Sequence, residues 1–322
     1  MVEFILPEEV ASITVDEKKI YDIVIVGAGP AGTTATVYSA RKKLNILLIS
    51  KDIGGQVLWT SDIENYMGFH YITGMELMKK FKEQVSQFPV PILLNEEVKS
   101  IVSDKNIFTL LTSENKKINT KTVIIATGKY SMPLNVLGEK EFIGRGISYC
   151  ATCDAPLFKN MDVAVIGGGN SAITAVNDLL KIANKIYIVN ILPSLQADPV
   201  LIEKIKGTEK IEMFFGYQVK EIKGKNSVEE ICIYSQKKQE EKILKVKGIF
   251  IEIGLIPNTE FINGFIMLNK KKEILIDCDC RTSVPGIFAA GDVTSVTEKQ
   301  IIVAAGEGAK AALSAYKYLL QL

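Results

Sequence analysis

Cys150 and Cys153 stand three positions apart in the stretch SYCATCDAPLFKN, and Asp154 follows them at once. Two thiols at that spacing can ligate a metal, staple the fold or carry a pair of electrons, and each role asks for different surroundings. A closed zinc site needs four nitrogen or sulfur donors. The chain offers one histidine, His70, and three further cysteines, Cys232, Cys278 and Cys280. The last two form a CxC, a spacing that strains tetrahedral coordination, so no metal site is expected. Those three cysteines read better as small buried or strand residues. Five cysteines in 322 residues are too few, and odd in number, for a disulfide framework. A redox pair is therefore favoured over a metal half-site, with a structural helix cap as the bland alternative. Such chemistry must bring a proton to a leaving thiolate, and Asp154 is the adjacent ionisable group. His70, in MGFHYITG, precedes the elements that carry the cysteines.

The elements that would position this pair show a repeated pattern. YDIVIVGAGPAGTTATVYSARKKLNILLI, residues 21–49, runs apolar strand, glycine-rich turn, helix and second apolar strand, and MDVAVIGGGNSAITAVNDLLKIANKIYIVN, from residue 161, repeats it. Both carry the dinucleotide fingerprint in its proper context: Gly27, Gly29 and Gly32 with Pro30 and Ala31 in the first, and Gly167, Gly169 and Ala172 with Asn170 and Ser171 in the second. The first glycine permits a tight turn, the second lets backbone approach a pyrophosphate, and the third small residue lets helix pack on strand. The helix N-terminus then faces the phosphates. The fold class expected is α/β, with two Rossmann-like, three-layer dinucleotide-binding domains. Near the C-terminus an apolar strand ends in Gly291-Asp292 and a small-residue helix begins at about residue 301. That carboxylate could hydrogen-bond a ribityl hydroxyl, and such a helix could approach a flat ring. NTKTVIIATG, residues 119–128, is another buried strand ending in Ala126-Thr127-Gly128. Moving two electrons from a hydride donor to a disulfide needs a carrier that does both, and a flavin is one.

Composition excludes other classes. Lys plus Arg (38) nearly cancels Asp plus Glu (37), which gives no basic stripe for nucleic acid. No apolar run is long enough to span a bilayer, and the acidic N-terminal stretch is a poor secretion signal. A cytoplasmic location is expected.

GAGPAG, GGQ (54–56), ENYMG (64–68), ATG (126–128), GRGISYCATCDA (144–155), GGGNSA and AAGD fall in the order and spacing of low-molecular-weight thioredoxin reductases, which this sequence resembles from Tyr21 to Leu320. Downstream of the cysteines, CDAPLFKN, GLIPN and KQIIVAAGEGAKAALSAYKYL are also similar to the flavoprotein subunit of alkyl hydroperoxide reductase. The resemblance implies an FAD domain in two segments, residues 1–128 and 258–322, with the nicotinamide domain, 129–257, inserted between them. Residues 1–20 would be an N-terminal extension. GKYSMP and GLIPN would be the connectors and hinges. It implies that Cys150 attacks the substrate disulfide, Cys153 faces the flavin and Asp154 donates the proton. It places Gly55, Gln56, Asn65, Lys299, Gln300 and Ile301 among the FAD contacts, and it implies a homodimer.

Departures from the family bear on the electron donor. Members specific for NADPH carry a basic cluster after the second strand of the inserted domain, but here VNILPSLQADP (189–199) offers Asn190, Ile191, Leu192 and Gln196, with no Lys or Arg from 186 to 203. A phosphate beside Ile and Leu would be poorly compensated, so NADH is expected over NADPH, without strong discrimination. Asn190 replaces the acidic residue that usually bonds the ribose. Ser50 likewise stands where the first unit would have an acidic ribose ligand, as it does in thioredoxin reductases. The expected partner is thioredoxin or a thioredoxin-like protein. One alternative is a pyridine-nucleotide-independent reductase driven by reduced ferredoxin, against which the intact GGGNSA loop argues. Another is a peroxiredoxin system, in which a glutaredoxin-like protein on another chain would relay electrons. Ferredoxin–NADP reductases of similar shape lack the cysteine pair, and a non-enzymatic flavin-binding module would need neither the pair nor the second loop.

Overall fold

The computed structural model describes residues 15–59, 63, 65–149 and 151–322. Along the chain, β1 (Ile20–Ala28), α1 (Pro30–Arg41) and β2 (Ile46–Ile53) form a first βαβ unit. It is followed by α2 (Gly74–Val85), β3 (Ile92–Leu94), β4 (Val98–Asp104), β5 (Ile107–Thr112) and β6 (Lys117–Ile125). After β7 (Lys129–Ser131) and α3 (Glu139–Phe142), β8 (Ile147–Ser148) leads into α4 (Ala151–Asp154). A second βαβ unit follows in β9 (Asp162–Ile166), α5 (Asn170–Leu179) and β10 (Lys185–Asn190), then α6 (Pro199–Ile205) and β11 (Ile211–Phe215). The strands β12 (Gln218–Gly224), β13 (Val228–Ser235) and β14 (Glu240–Lys245) form an antiparallel sheet, and β15 (Gly248–Ile251) rejoins the parallel one. The chain closes with β16 (Leu255–Pro257), β17 (Ile287–Ala289) and α7 (Ile301–Leu319).

Two compact units result. One holds Ser131–Leu255; the other holds Ile63–Tyr130 and Ile256–Leu322 with the described residues up to Leu58. In the latter unit the sheet runs β3-β2-β1-β6-β5-β4, and β17 also pairs with β6. The strands β1, β2, β6 and β17 are parallel, as two layers of covering helix and loop require. Val24, Val26, Leu47 and Ile49 face one core, while Ile23, Ile25, Leu48 and Ile124 face another on the opposite side of the sheet. That two-sided burial is why these strands read as unbroken apolar runs. By contrast β5 alternates buried and half-buried residues, and a two-residue turn with positive φ at Lys105 and Asn106 joins it to β4. The capping box of α2, Thr73 with Glu76, fixes that helix's start.

In Ser131–Leu255 the five-stranded parallel sheet runs β11-β10-β9-β15-β8. Val163 and Val165 face one core and Ala164 and Ile166 the other. Among the described residues no helix is long and apolar enough to cross a membrane. This is the α/β architecture with two Rossmann-like units that the paired fingerprints predict.

Candidate functional site

The first fingerprint is built by steric exclusion. Gly27 has φ +102°, and a Cβ there would lie 2.3 Å from the Ala126 carbonyl oxygen. A Cβ on Gly32 would lie 1.8 Å from Gly27 O, so α1 packs as closely on its turn as a residue without a side chain allows. Gly29 differs: a Cβ there would meet only Gly54 O, at 4.0 Å. It leaves an open cradle at the start of α1, where Pro30 supplies the first-turn φ. Gly54 N–H donates to Ala28 O at 2.9 Å and Gly55 N–H to Asp52 Oδ1 at 2.8 Å, which sets the GGQ turn beside the cradle.

Several expected flavin-site residues meet in this unit. Asn65 Nδ2 donates to Gln300 Oε1 at 3.1 Å, across 235 residues of sequence. Gln56 Nε2 donates to the Lys129 carbonyl. Thr127 Oγ1 donates to Asn258 O, and Asn258 Nδ2 returns a bond to Thr127 O, both at 2.8 Å. Gly291, at φ +79°, donates its N–H to Glu307 Oε2 at 2.7 Å. Ile301 is the first residue of α7. Asp292 has no hydrogen-bond partner among the described residues, and burial pushes its carboxyl above the usual range against the opposing charges of Lys299 and Lys129. A half-buried acceptor of that kind beside an open glycine cradle fits a dinucleotide with ribityl hydroxyls to donate.

Ser50 explains its own departure from the fingerprint. Its Oγ accepts the Ala28 N–H at 3.0 Å, so the side chain closes the turn instead of facing a ribose. Neighbouring Lys51 pairs with Glu97 at 2.8 Å on the surface.

The second fingerprint repeats the exclusion. Gly167 has φ +134°, and a Cβ there would lie 2.3 Å from Glu252 O, while Gly169 faces open space at the start of α5. Asn170 Nδ2 donates to Asp198 Oδ2 at 2.9 Å and its Oδ1 accepts the Asp198 N–H at 2.8 Å, which ties this helix start to that of α6. Ala172 is fully buried. Asn190, expected to face the ribose, is buried over Gly168, whose Cβ would lie 2.3 Å from Asn190 Nδ2. Its amide donates to Ser194 O at 2.7 Å and to Gln196 Oε1 at 3.2 Å, leaving Oδ1 with a 3.4 Å bond from Leu192 N–H. Both donors are engaged inside the loop, and only an acceptor remains.

The redox segment emerges from the carboxyl edge of the same sheet. The strand β8 runs parallel to β15 and β15 to β9, so the chain after Ser148 and the loop after Ile166 leave the sheet on one side. Cys150 lies outside the described residues, and Cys153 is placed by its backbone in α4. The helix α4 is a single turn followed by a 3-10 turn, Ala155–Phe158, too short to build much of a macrodipole. Asp154 is half-buried, and its Oδ2 accepts Ser148 Oγ at 2.6 Å. Burial raises its pKa, and the serine bond only partly offsets that. A carboxyl that keeps its proton above the ordinary carboxylate range suits a proton donor.

Sequence reasoning missed Glu252, whose carboxyl accepts the Ala151 backbone N–H and bonds the Ser171 side chain. Burial raises its pKa to about 7. The only sequence signal was an acidic residue ending an otherwise apolar strand, in GIFIEIG. The remaining cysteines separate: Cys232 and Cys280 are buried, as expected of small core residues, whereas Cys278 is exposed in a turn between Asp277 and Asp279. Cys232 Sγ bonds Glu241 Oε1 at 3.0 Å.

A family model described as pyridine nucleotide-disulphide oxidoreductase matches residues 21–308. A Bacillus subtilis protein described as an NADH dehydrogenase is 39% identical over 305 residues, which cover 95% of this chain and 60% of that protein. A component of alkyl hydroperoxide reductase from Escherichia coli is 37% identical over 318 residues, 98% of this chain and 61% of that one. This chain therefore spans about 60% of the length of these curated relatives. A solved thioredoxin reductase from Streptococcus pyogenes is 36% identical with a TM-score of 0.77, covering 94% of this chain and 99% of that one.

Proposed function

Since this chain belongs to the pyridine nucleotide-disulphide oxidoreductase family, we propose that it is an FAD-dependent disulfide reductase. Electrons would pass from NADH, in preference to NADPH, to the Cys150–Cys153 pair and on to thioredoxin or a thioredoxin-like protein. The observation that carries this reading is the shared edge: the CATCD segment and the second dinucleotide loop leave the same side of one parallel sheet. Bound flavin would supply hydride acceptance and return of the electron pair to sulfur. The residues that would hold it are Gly27, Gly29, Gly32, Ala126, Thr127, Gly291 and Asp292, with Gln56, Asn65, Lys299, Gln300 and Ile301 towards the ring.

The protein's own groups account for the rest of the chemistry. In the reduced pair the Cys150 thiolate attacks the partner disulfide and forms a mixed disulfide, and the released partner sulfur takes a proton from Asp154. Cys153 then attacks Cys150 sulfur, which frees the second partner thiolate and leaves the Cys150–Cys153 disulfide. Two electrons have moved to the partner; Asp154 supplies one proton and recovers it from the Cys153 thiol as that sulfur attacks, and solvent protonates the second partner thiolate. Ser148 orients the Asp154 carboxyl throughout.

Donor preference is supported by the loop after β10. A 2′-phosphate needs hydrogen-bond donors and positive charge, whereas Asn190 offers only an acceptor and Ile191 and Leu192 are exposed apolar side chains. A ribose hydroxyl can donate to Asn190 Oδ1. The similarity to a component of alkyl hydroperoxide reductase favours a second reading for the partner, a glutaredoxin-like relay in a peroxiredoxin system.

Anaerobic titration of the flavoprotein with NADH and then NADPH tests the proposal. Rapid flavin bleaching by NADH, with new thiols at Cys150 and Cys153, is the expected result. No bleaching by either nucleotide, while dithionite reduces both flavin and disulfide, would overturn the nicotinamide reading and make reduced ferredoxin the donor to test.

A further inference from the structure

The loop after β10 folds back on the turn of the second fingerprint. Gln196 N–H donates to Gly168 O at 2.7 Å, and Asp198 N–H donates to Asn170 Oδ1 at 2.8 Å. Residues 196–198 thus lie alongside residues 168–170, while Leu195 and Ala197 pack on the core that holds Val165, Ile173 and Ile188. The Asn170 side chain closes the contact from the other direction, its Nδ2 donating to Asp198 Oδ2 at 2.9 Å.

That pairing takes Asp198 away from the task its position suggests. Asp198 is the N-cap of α6, where an aspartate ordinarily accepts from the first-turn N–H groups of its own helix, yet its side chain makes no such bond. The helix α5 follows Gly169, which has no side chain to cap with, and a Cβ there would meet open space. The start of α5 is open to an anionic group, while the capping residue of α6 braces the loop beside it. Asn170 and Asp198 are both exposed, so neither is needed to fill the core.

We propose that the Asn170–Asp198 pair is a positioning device of the nucleotide site: it locks the loop at residues 190–198 to the phosphate-binding turn, so that the site for the ADP half of NADH is formed before the nucleotide arrives. The inference rests on the reading of the second fingerprint as the nicotinamide-nucleotide site. Its sign follows from preorganisation. A free loop loses conformational freedom when it closes on a ligand, and a loop already held in place does not. The pair therefore acts on affinity and leaves the later transfer of electrons alone.

The test uses ADP, the part common to both nicotinamide nucleotides, titrated calorimetrically into the FAD-loaded full chain. Asn170→Ala removes both side-chain bonds and should bind ADP about tenfold more weakly, and Asp198→Ala, which removes one, about threefold more weakly. The double variant should be no weaker than Asn170→Ala, because its second substitution removes a bond already lost. Asp198→Asn keeps an acceptor for Asn170 Nδ2 and should bind at least as tightly as wild type. In stopped-flow flavin reduction the half-saturating NADH concentration should rise in step with the ADP dissociation constant in the alanine variants, at an unchanged limiting rate. Amide exchange of residues 190–198 should quicken in the same variants. Wild-type affinity in Asp198→Ala beside a weakened Asn170→Ala would overturn the proposal, since Asn170 would then touch the ligand by itself. So would a limiting rate that falls as far as the affinity does. ADP binding that neither alanine substitution alters would overturn it and leave the nicotinamide reading standing. No ADP binding by wild type would sink both.

Discussion

Ser148 Oγ donates to Asp154 Oδ2 at 2.6 Å, joining the end of β8 to the last residue of the one-turn helix that carries Cys153. The bond steadies the carboxyl while favouring its charged form, and burial acts more strongly in the other direction. An acid of this kind works while protonated and fails as pH rises through its pKa. Asp154→Asn should therefore lower turnover with a disulfide partner by about 10²-fold while leaving flavin reduction by NADH unchanged. Ser148→Ala removes a donor to the carboxylate, so the alkaline limb of kcat/KM should move to higher pH. A limb that stays in place in Ser148→Ala would assign the titration to another group.

Gln196 is exposed at the rim of the loop that Asn190 organises. Gln196→Arg supplies a guanidinium where a 2′-phosphate would lie if the nucleotide sits as the fingerprint implies. The KM for NADPH should fall about tenfold and the KM for NADH should change little, read by stopped-flow flavin reduction. An equal change in both would place the adenosine ribose elsewhere.

The parts of this molecule that were legible in the sequence are those fixed by local sterics. Gly27, Gly32 and Gly167 announce their turns because each abuts a backbone carbonyl and no side chain fits. The parallel strands are written in apolar runs that bury both faces. Partners brought together only by sheet pairing were not legible. Glu252 reaches Ala151 because β15 lies between β8 and β9, and no period in the sequence announces that order. Asn190 stands at the expected position, but its amide turns inward because Gly168 leaves space for it, a tertiary fact that residue type cannot carry.

Gly308 sits where α7 crosses α1, and a Cβ there would lie 2.0 Å from the Ala31 carbonyl oxygen. No rotamer relieves a clash between Cβ and backbone, so Gly308→Ala must push the helices apart beside the first fingerprint. The expected cost is about 1–3 kcal/mol in denaturant unfolding, accompanied by weaker retention of flavin. Unchanged stability would mean that the two helices separate freely at this crossing.

Glu273 accepts from Lys129 and from Asn269, and Lys299 Nζ lies 3.7 Å away. Burial alone would push the Glu273 carboxyl up, yet the Lys129 and Asn269 bonds and the two lysine charges outweigh it and hold the pKa below the ordinary glutamate value. A depressed pKa contributes stability that is fully present above the unfolded-state value and is lost as pH falls through the folded one. Glu273→Gln leaves Lys129, whose side chain is 8% exposed, without its anionic partner. The variant should be less stable by about 3 kcal/mol near neutral pH, because an unpaired buried cation is costly. As pH falls through the depressed pKa the wild-type carboxyl is itself neutralised, so the difference should shrink towards zero in strong acid. Denaturant midpoints at the two pH values distinguish the cases. A difference that persists unchanged in acid would show that Glu273 acts through shape and hydrogen bonding, and that its charge contributes nothing to holding this cluster together.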